Sequence, residues 1–458
     1  MPTKTTKIND EELKNWRIKR HRTFIAFTLQ NACAGMEYSL TFMTLWLYLE
    51  ETLKASHLKL FYGLVSAAYS AAQISSSIIV GHIFDKYRNV SMVFLIGNSL
   101  IVTGNIIYAI PYSPWNLLVG RLISGVGGCH RPIMTSELTR SYPPDELSSK
   151  FSTMGMAFAL GFILGPGINF VFLKADFFIG PLHVTYTNAP ACSLAIIFLL
   201  SQMLAIYLVS DLSKEFDLKE HETEIAQCAA GTVADEENER LLSKDHMVKD
   251  INSLRVLVQL LKQTDTLIIL LFSFLIMYCM ISFDLWQPLA IVKLMRWGMF
   301  ELNSILFGHG IAAVAVLLLI TYRPFSDRSI VYVSWICCLF VMLILIMYAV
   351  LAVYNLNQIL NIVSWTFYAL LFAVVVIFDE VFLIGAMARM TSSRAQAFTE
   401  SIRLAFSRSG AIIALLTAAM SFTQLEYVCV CLAILTYLGF LVLVWRRKSL
   451  QNPVIIIS

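Results

Sequence analysis

Long apolar stretches recur along the chain and restrict how it can fold. A helix that crosses the hydrocarbon core of a bilayer needs about 20 mostly apolar residues. Only helices and closed barrels satisfy all their backbone polar groups there. The chain is 57% hydrophobic and 14% charged, whereas a soluble domain carries roughly 25% charged residues. We predict an all-α membrane protein with twelve transmembrane helices, at residues 23–48, 60–82, 91–110, 115–138, 152–173, 189–210, 266–288, 302–321, 329–352, 362–388, 400–421 and 424–445.

A polar segment at residues 211–262 divides these helices six and six. An equal division is typical of transporters that are built from an internal repeat. The sequence therefore predicts two six-helix bundles, with tails and a central loop outside the membrane. The predicted domains are an N-terminal tail at 1–22, bundles at 23–210 and 263–445, a central loop at 211–262 and a C-terminal tail at 446–458.

Lysine and arginine lie mainly in the loops on one side of the predicted helices. That side includes Arg22, Lys86, Arg140 and Arg446, together with most other cations of the short loops. Positively charged loops remain in the cytosol. We therefore predict that both termini and the central loop are cytosolic.

Arg121 is a charged residue inside a predicted span. A central arginine costs about 2.5–3.5 kcal/mol on insertion scales, so its side chain should face protein or water. Gly125 and Gly128 follow on the same helical face, where a neighbouring helix can approach closely. The next span contains Gly161 and Gly165-Pro166, and the proline removes a backbone donor and favours a kink.

These two spans resemble helices four and five of the major facilitator superfamily, and a loop motif strengthens the resemblance. The loop between the second and third spans resembles the superfamily's G-x-x-x-D-R-x-G-R pattern. It keeps Gly81 and Asp85, with Lys86 in place of the first arginine and Arg88 where a glycine is usual. The resemblance implies two bundles that work by alternating access. It also implies that Asp85 forms a charge latch on the cytosolic side. The alternative is an ordinary positively charged loop.

Within the superfamily, the chain resembles the lysosomal ceroid-lipofuscinosis transporter family, that of major facilitator superfamily domain-containing protein 8. The shared features are Trp46-Leu-Tyr-Leu49, Gly161-Phe-Ile-Leu-Gly-Pro166, the polar patch Ser148–Ser152 and the pair Ser409-Gly410. The long lumenal loop of that family is replaced here by about residues 353–361. The resemblance implies a lysosomal or endosomal membrane.

Arg121 and Glu37 are the first candidates for a transport site. Helices one and four both line the cavity in the superfamily, so Glu37 is expected to face Arg121. A permanent cation can hold an anionic substrate or favour ionisation of a nearby carboxylate, and a buried carboxylate can carry a proton. The alternatives are a structural arginine at a helix crossing and a structural carboxylate that pairs with it.

Three more acids lie in predicted spans. Asp284 lies near the lumenal end of the seventh helix. It is either a site residue or a carboxylate that reaches the membrane–water interface. Asp379 and Glu380 are adjacent and point about 100° apart, so at most one can face a cavity. We expect them to pair with Arg389 and Arg394. His130, nine residues after Arg121, should face the opposite side of its helix and is not counted as a site residue.

The central loop contains Glu237, Leu241 and Leu242 in the pattern of an acidic dileucine signal. Adaptors read such a peptide in extended form, with the acid on a basic patch and the leucines in an apolar pocket. We therefore predict a clathrin adaptor as a partner. Downstream, the apolar stripe Leu254, Leu257, Val258 and Leu261 predicts an interfacial helix.

These observations predict a secondary active transporter that moves a small solute or anion, with protons as a candidate coupling ion. No P-loop, paired-metal or Ser-His-Asp pattern is found, so we expect neither an enzyme nor a cofactor. No basic block with interleaved aromatics indicates nucleic acid. The alternatives are a chloride or other anion channel on the same fold and a non-transporting membrane scaffold. Membrane lipid is an expected partner in each case.

Overall fold

We describe the protein from a computed structural model. The structure describes residues 10–172, 175–217, 253–293, 299–322, 327–353, 358–421 and 424–451. Glu237, Leu241 and Leu242 lie outside these ranges. Helices make up nearly all of the described chain, so the predicted all-α fold class is confirmed. The exception is a two-stranded antiparallel hairpin, β1 (Asp176–Ile179) and β2 (Leu182–Thr185), which sequence analysis did not predict.

The N-terminal half contains eight described helices. They are α1 (Asp10–Leu47), which continues as a π-helical turn at Tyr48–Thr52, α2 (Leu58–Tyr87), α3 (Val90–Ala109), α4 (Pro114–Gly127), α5 (His130–Ser141), α6 (Pro144–Phe172), α7 (Ala189–Leu208) and the short α8 (Leu212–Glu215). The first helix begins at Asp10, well before the predicted span at residue 23. Part of the predicted N-terminal tail is therefore helical.

The C-terminal half also contains eight described helices. Its helices are α9 (Ser253–Lys262), α10 (Thr264–Lys293), α11 (Met299–Tyr322), α12 (Asp327–Val353), α13 (Gln358–Met390), α14 (Gln396–Ser421), α15 (Leu425–Trp445) and α16 (Arg447–Gln451), with a 3₁₀ turn at Ser393–Ala395. Every predicted span falls on one helix or, for the fourth, on the pair α4 and α5. Within the described residues, seven helical segments are by themselves long and apolar enough to cross a membrane.

The predicted fourth span at 115–138 is interrupted at Gly128 and Cys129, so the prediction of one continuous helix is wrong. Pro132 has no N–H to bond the carbonyl of Gly128, four residues earlier. That carbonyl instead accepts a hydrogen bond from Gln73 Nε2 at 2.7 Å. The N–H of Gly128 bonds back to Ser124 and Gly125, which tightens the last turn of α4. Gly127 and Gly128 have a low helix propensity, so interrupting the helix here costs little free energy.

Glycines bring the helices of the N-terminal half into close contact. A Cβ atom at Gly161 would lie 1.9 Å from the carbonyl oxygen of Ala32, and one at Gly165 would lie 1.8 Å from Ser39 Oγ. A Cβ atom at Gly125 would lie 2.4 Å from the carbonyl oxygen of Tyr69 in α2, and one at Gly128 would lie 2.7 Å from the Tyr69 hydroxyl. These contacts hold α6 against α1, and α4 against α2. The helix α6 continues through Pro166.

Two helix pairs and one shorter helix join the halves: α2 packs on α14, α6 packs on α11, and α5 also reaches α14. We call the face that carries Asp10 and Gln451 the terminal side. The ends of α2, α5 and α11 lie there. On this side Ser149 and Ser152 of α6 donate hydrogen bonds to the carbonyls of Thr321 and Leu317 at 3.0 and 2.6 Å. The two halves are therefore in contact on the terminal side.

Candidate functional site

Glu37 and Arg121 meet in the middle of the N-terminal half. Glu37 of α1 is 1% exposed and Arg121 of α4 is 8% exposed. Arg121 Nη1 lies 3.3 Å from Glu37 Oε1, and Asn105 Nδ2 of α3 donates to the same oxygen at 3.4 Å. The guanidinium of Arg121 lies 4.7 Å from the centre of the Tyr69 ring. The structure thus places an ion pair, an amide and a phenol ring together at a buried position.

This ion pair lines a small cavity of about 50 Å³. Drug-sized ligands occupy pockets of about 300–1,000 Å³, so the cavity in the described state is too small for a solute of that size. Both halves contribute to its wall, which combines apolar side chains with polar ones. The polar groups include the amides of Gln30, Asn31 and Gln73, the phenols of Tyr38 and Tyr69, and the guanidiniums of Arg121, Arg131 and Arg408. A solute in this cavity would touch all seven helices from α1 to α7, and α14 of the other half.

An ion pair between the two halves lies beside the cavity. Arg131 Nη2 of α5 is 2.5 Å from Glu380 Oε1 of α13, and both side chains are about a quarter exposed. The sequence predicted Arg389 and Arg394 as partners of the adjacent acids, and the described ion pair of Glu380 is instead with a cation that α5 of the other half supplies. Asp379 accepts a hydrogen bond from Ser334 Oγ at 2.7 Å and is buried within the C-terminal half. Only Glu380 of the adjacent acids reaches the interface between the halves.

His130 and Arg131 both line the cavity, and sequence analysis left them out of the site. The prediction assumed one helix, in which nine residues place His130 opposite Arg121. The interruption at Gly128 and Cys129 changes the rotation of α5 relative to α4, so this spacing no longer applies. His130 is buried, with its ring 4.9 Å from that of Phe94.

Sequence analysis also missed three charges on α14. Arg408 lines the cavity, and within the described part of the chain its Nε is buried without a hydrogen-bond partner. Arg403 and Glu400 form a buried pair through two hydrogen bonds, of 2.8 and 2.6 Å. The available signal was the sequence itself, which has three charged residues in the first half of a predicted span. Only the neighbouring Ser409-Gly410 was singled out.

Asp284 is half-buried on α10 and lies in electrostatic range of Tyr38. Within the described wall of the cavity, Asp284 is not a lining residue. The structure thus brings Glu37 and Arg121 together in the described wall of the cavity. Glu380 reaches the wall only through its ion pair with Arg131, and Asp284 and Asp379 lie outside it.

Asp85 lies at the contact between the halves on the terminal side. Its carboxylate accepts the backbone N–H groups of Ala397 and Phe398 at 2.9 and 2.7 Å, at the N-terminus of α14. Gly81, one turn earlier, lies against Ala397 and Ser401, where a Cβ would be 2.2 Å from Ser401 Oγ. A carboxylate at a helix N-terminus satisfies free N–H groups and interacts favourably with the helix dipole.

Arg140, from the end of α5, completes this contact. Its side chain is fully buried, and its Nη2 lies 2.5 Å from Asp85 Oδ1. Its Nε donates to the carbonyl oxygen of Ser393 at 2.8 Å, which adds a second link between the halves. Sequence analysis placed Arg140 only among the positive loop residues. Lys86, which was expected in the motif, instead lies 5.8 Å from the centre of the Tyr87 ring.

Arg88 explains why the loop motif usually has a glycine at its position. Arg88 ends α2 with φ of +50°, a left-handed conformation that costs a non-glycine residue roughly 1–2 kcal/mol. Its side chain bonds Asp217 Oδ2 at 2.9 Å and the Ser213 carbonyl at 3.2 Å. Asp217 also accepts a hydrogen bond from Ser393. These contacts hold the start of the central loop against both halves.

The comparisons with known proteins agree with this architecture. The family model for the Major Facilitator Superfamily matches residues 27–379. The chain belongs to the major facilitator superfamily. The structure is similar to that of the human organic anion transporter MFSD10 (TETRAN), with a TM-score of 0.69 at 14% identity, covering 92% of this chain and 99% of that one. It is also similar to the proton:xylose symporter XylE, with a TM-score of 0.71 at 14% identity, covering 94% and 95%.

Two curated relatives match a shorter region. The tetracycline resistance protein of class H from Pasteurella multocida is 28% identical over 120 residues, which is 26% of this chain and 29% of that protein. The class D protein from Salmonella ordonez is 32% identical over 123 residues, again 26% and 29%. The chain thus spans less than a third of the length of these relatives. The family model and these matches together show a multi-pass membrane protein of this superfamily.

Proposed function

We propose that this protein is a secondary active transporter that moves a small anionic solute across endolysosomal membranes by alternating access. The observation that carries the proposal is the small cavity to which both halves contribute, whose described wall contains three guanidiniums and one carboxylate. An excess of fixed positive charge in a low-dielectric site attracts anions. A site that both halves contribute to is remade whenever they move, as alternating access requires.

The latch of Asp85 and Arg140 would keep the terminal side closed in the described state. Asp85 belongs to one half and the N–H groups it accepts belong to the other, so opening must break those hydrogen bonds. Release of the latch would open the cavity to the terminal side. By the distribution of lysine and arginine, we infer that this side is cytosolic.

Glu37 would couple transport to protons. It is the buried carboxylate of the cavity wall, and it shares one ion pair with Arg121. Protonation of Glu37 would leave Arg121 without its counter-ion and make the cavity more attractive to an anion. A proton and an anion would then bind together and cross in the same direction, which is the stoichiometry of symport.

The endolysosomal location is supported by two features of the sequence. One is the resemblance of the first half to the lysosomal ceroid-lipofuscinosis family of major facilitator superfamily domain-containing protein 8. The other is the acidic dileucine pattern of Glu237, Leu241 and Leu242, which lies outside the described residues and would recruit a clathrin adaptor.

Metabolite analysis of isolated lysosomes tests the proposed function. Lysosomes would be isolated from cells that lack the protein and from cells that express wild type, Arg121→Ala or Arg446→Gln. The last variant is the matched control, because Arg446 lies at the end of α15, outside the cavity wall. We expect an anionic metabolite to accumulate or fall without the protein, with rescue by wild type and by Arg446→Gln but not by Arg121→Ala. Rescue by a correctly localised Arg121→Ala would contradict the assignment.

A further inference from the structure

Among the described residues that interact with Arg408, none is an acid free to balance its charge. Two ion pairs contribute to the cavity wall, Glu37 with Arg121 and, through its arginine only, Arg131 with Glu380. Arg403 on the same helix as Arg408 already pairs with Glu400. Arg408 interacts electrostatically with Arg131, Tyr69, Tyr38 and Glu380. The only acid among these four groups is Glu380, which already pairs with Arg131.

The surroundings of Arg408 are those of a site that lacks an acceptor. Arg408 lines the cavity, and within the described residues its Nε is buried without a hydrogen-bond partner. Buried polar groups in proteins are nearly always hydrogen-bonded, so each exception calls for an explanation. A guanidinium presents its donors in a planar fork, which fits a carboxylate or another small anion.

Arg131 adds a second cation to the same cavity from the other half. Arg131 comes from α5 and Arg408 from α14, and the interaction between the two like charges is unfavourable. Arg131 reaches one oxygen of Glu380 through Nη2. Each arginine carries five N–H donors, so Arg131 keeps donors available while it pairs with Glu380.

We propose that a monovalent anion binds between Arg131 and Arg408. These two arginines would then form the substrate-binding contact of this transporter. The inference rests on the proposed function and deepens it, because it names the charge of the solute and the residues that hold it. A single negative charge balances the single excess cation. The cavity of about 50 Å³ fits an ion of the size of chloride or acetate in the occluded state. Arg121 is then a positioning residue, because Glu37 already neutralises it.

The proposed site links binding to movement of the two halves. Without an anion, the repulsion between Arg131 and Arg408 opposes the closed arrangement, since the two cations come from opposite halves. With an anion, both cations are attracted to one charge, so the closed arrangement becomes more stable. An anion would therefore promote occlusion, which is the step that precedes reorientation of the loaded carrier.

Thermal unfolding of the purified full-length protein tests the site. Unfolding temperatures would be measured with sodium chloride, sodium acetate, sodium benzoate and the uncharged acetamide. Sodium gluconate, whose anion is bulky, would replace the test salt where needed, so that the sodium concentration stays constant. Wild type should be stabilised by chloride, by acetate or by both, and not by acetamide. Chloride alone would identify an inorganic anion, whereas acetate or benzoate would identify a carboxylate. No stabilisation by any of the anions would overturn the proposal.

Arg408→Gln supplies the decisive comparison. It removes an unbalanced charge, so it should unfold at a higher temperature than wild type in gluconate, and its affinity for the stabilising anion should fall at least tenfold. Arg408→Lys keeps the charge without the fork and should retain part of the response. The matched control Arg446→Gln, whose guanidinium pairs with Asp265 outside the cavity, should respond like wild type. A response of Arg408→Gln equal to that of wild type would refute the site.

Flux measurements separate this inference from the proposed function. If wild-type proteoliposomes carry the anion and Arg408→Gln carries it with the same half-saturating concentration, the site is wrong and the transport function stands. If anion binding depends on Arg408 but wild type moves no anion, the site stands and the transport function is wrong.

Discussion

Replacing Asp85 by asparagine should open the terminal side of the protein. The Asp85 carboxylate accepts N–H groups from Ala397 and Phe398 with one oxygen each, at 2.9 and 2.7 Å. An asparagine side chain has one oxygen and one NH₂ group. Its oxygen can accept a hydrogen bond from only one of the two backbone N–H groups, and its NH₂ group then faces the other N–H group. Arg140, whose side chain is fully buried, loses its counter-ion at the same time.

The size of the effect follows from the contacts between the halves. Loss of one hydrogen bond to a charged group costs about 1.5–3 kcal/mol. Loss of the carboxylate charge at the N-terminus of α14 adds about 0.3–1 kcal/mol. We therefore expect the closed state to lose about 2–4 kcal/mol relative to the open state. At 1.36 kcal/mol per factor of ten, the equilibrium shifts about 30- to 900-fold.

Distances between spin labels on the terminal side measure this shift. Tyr87 at the end of α2 and Tyr322 at the end of α11 are 62% and 80% exposed and belong to opposite halves. Labels should be attached through introduced azide-bearing residues, because Cys431 is exposed and would react with thiol labels. Asp85→Asn should move the distance distribution to longer values. Asp145→Asn, which changes an exposed carboxylate on the same side, should not. A folded Asp85→Asn protein with the wild-type distribution would refute the reasoning.

Three further predictions concern coupling, packing and location. Glu37→Gln should flatten the pH dependence of flux while anion exchange stays measurable, and an unchanged pH profile would remove Glu37 from proton coupling. Gly161→Ala should lower the free energy of unfolding by about 1–3 kcal/mol, because its Cβ would lie 1.9 Å from a carbonyl oxygen of α1. The control Gly63→Ala, with nothing within 4 Å, should be neutral or stabilising, and equal effects at both glycines would contradict the packing argument. Replacing Leu241 and Leu242 by alanine should move the protein to the plasma membrane, and surface labelling equal to wild type would reject the sorting signal.

The sequence predicted the features that depend on local patterns. Runs of apolar residues located all twelve spans, and the cost of burying a charge directed attention to Glu37 and Arg121. The two residues are 84 positions apart, yet the superfamily resemblance was enough to place both on cavity-lining helices. Close packing at Gly161 and Gly165 also followed from the spacing of small residues.

The features that sequence analysis missed depend on contacts between the halves. Arg131 and Glu380 are 249 positions apart, and Asp85 and Ala397 are 312 positions apart. No local pattern specifies such pairs, because each depends on how one bundle packs on the other. The interruption at Gly128 has a local cause in Pro132. Its consequence is that α5, which carries His130 and Arg131, is rotated relative to α4, and the spacing of residues in one continuous helix does not predict that rotation.

Solute flux in proteoliposomes tests the central claim, that an alternating-access carrier binds an anion between its two halves. Uptake of labelled anions would be measured with wild type, Arg121→Ala and Arg446→Gln, with and without an imposed proton gradient. We predict uptake that saturates with anion concentration, accelerates with the gradient, is lost in Arg121→Ala and is retained in Arg446→Gln. Uptake that rises without saturation and ignores the gradient would indicate an anion channel. No uptake of any anion by folded wild type would contradict a transport function and favour a scaffold.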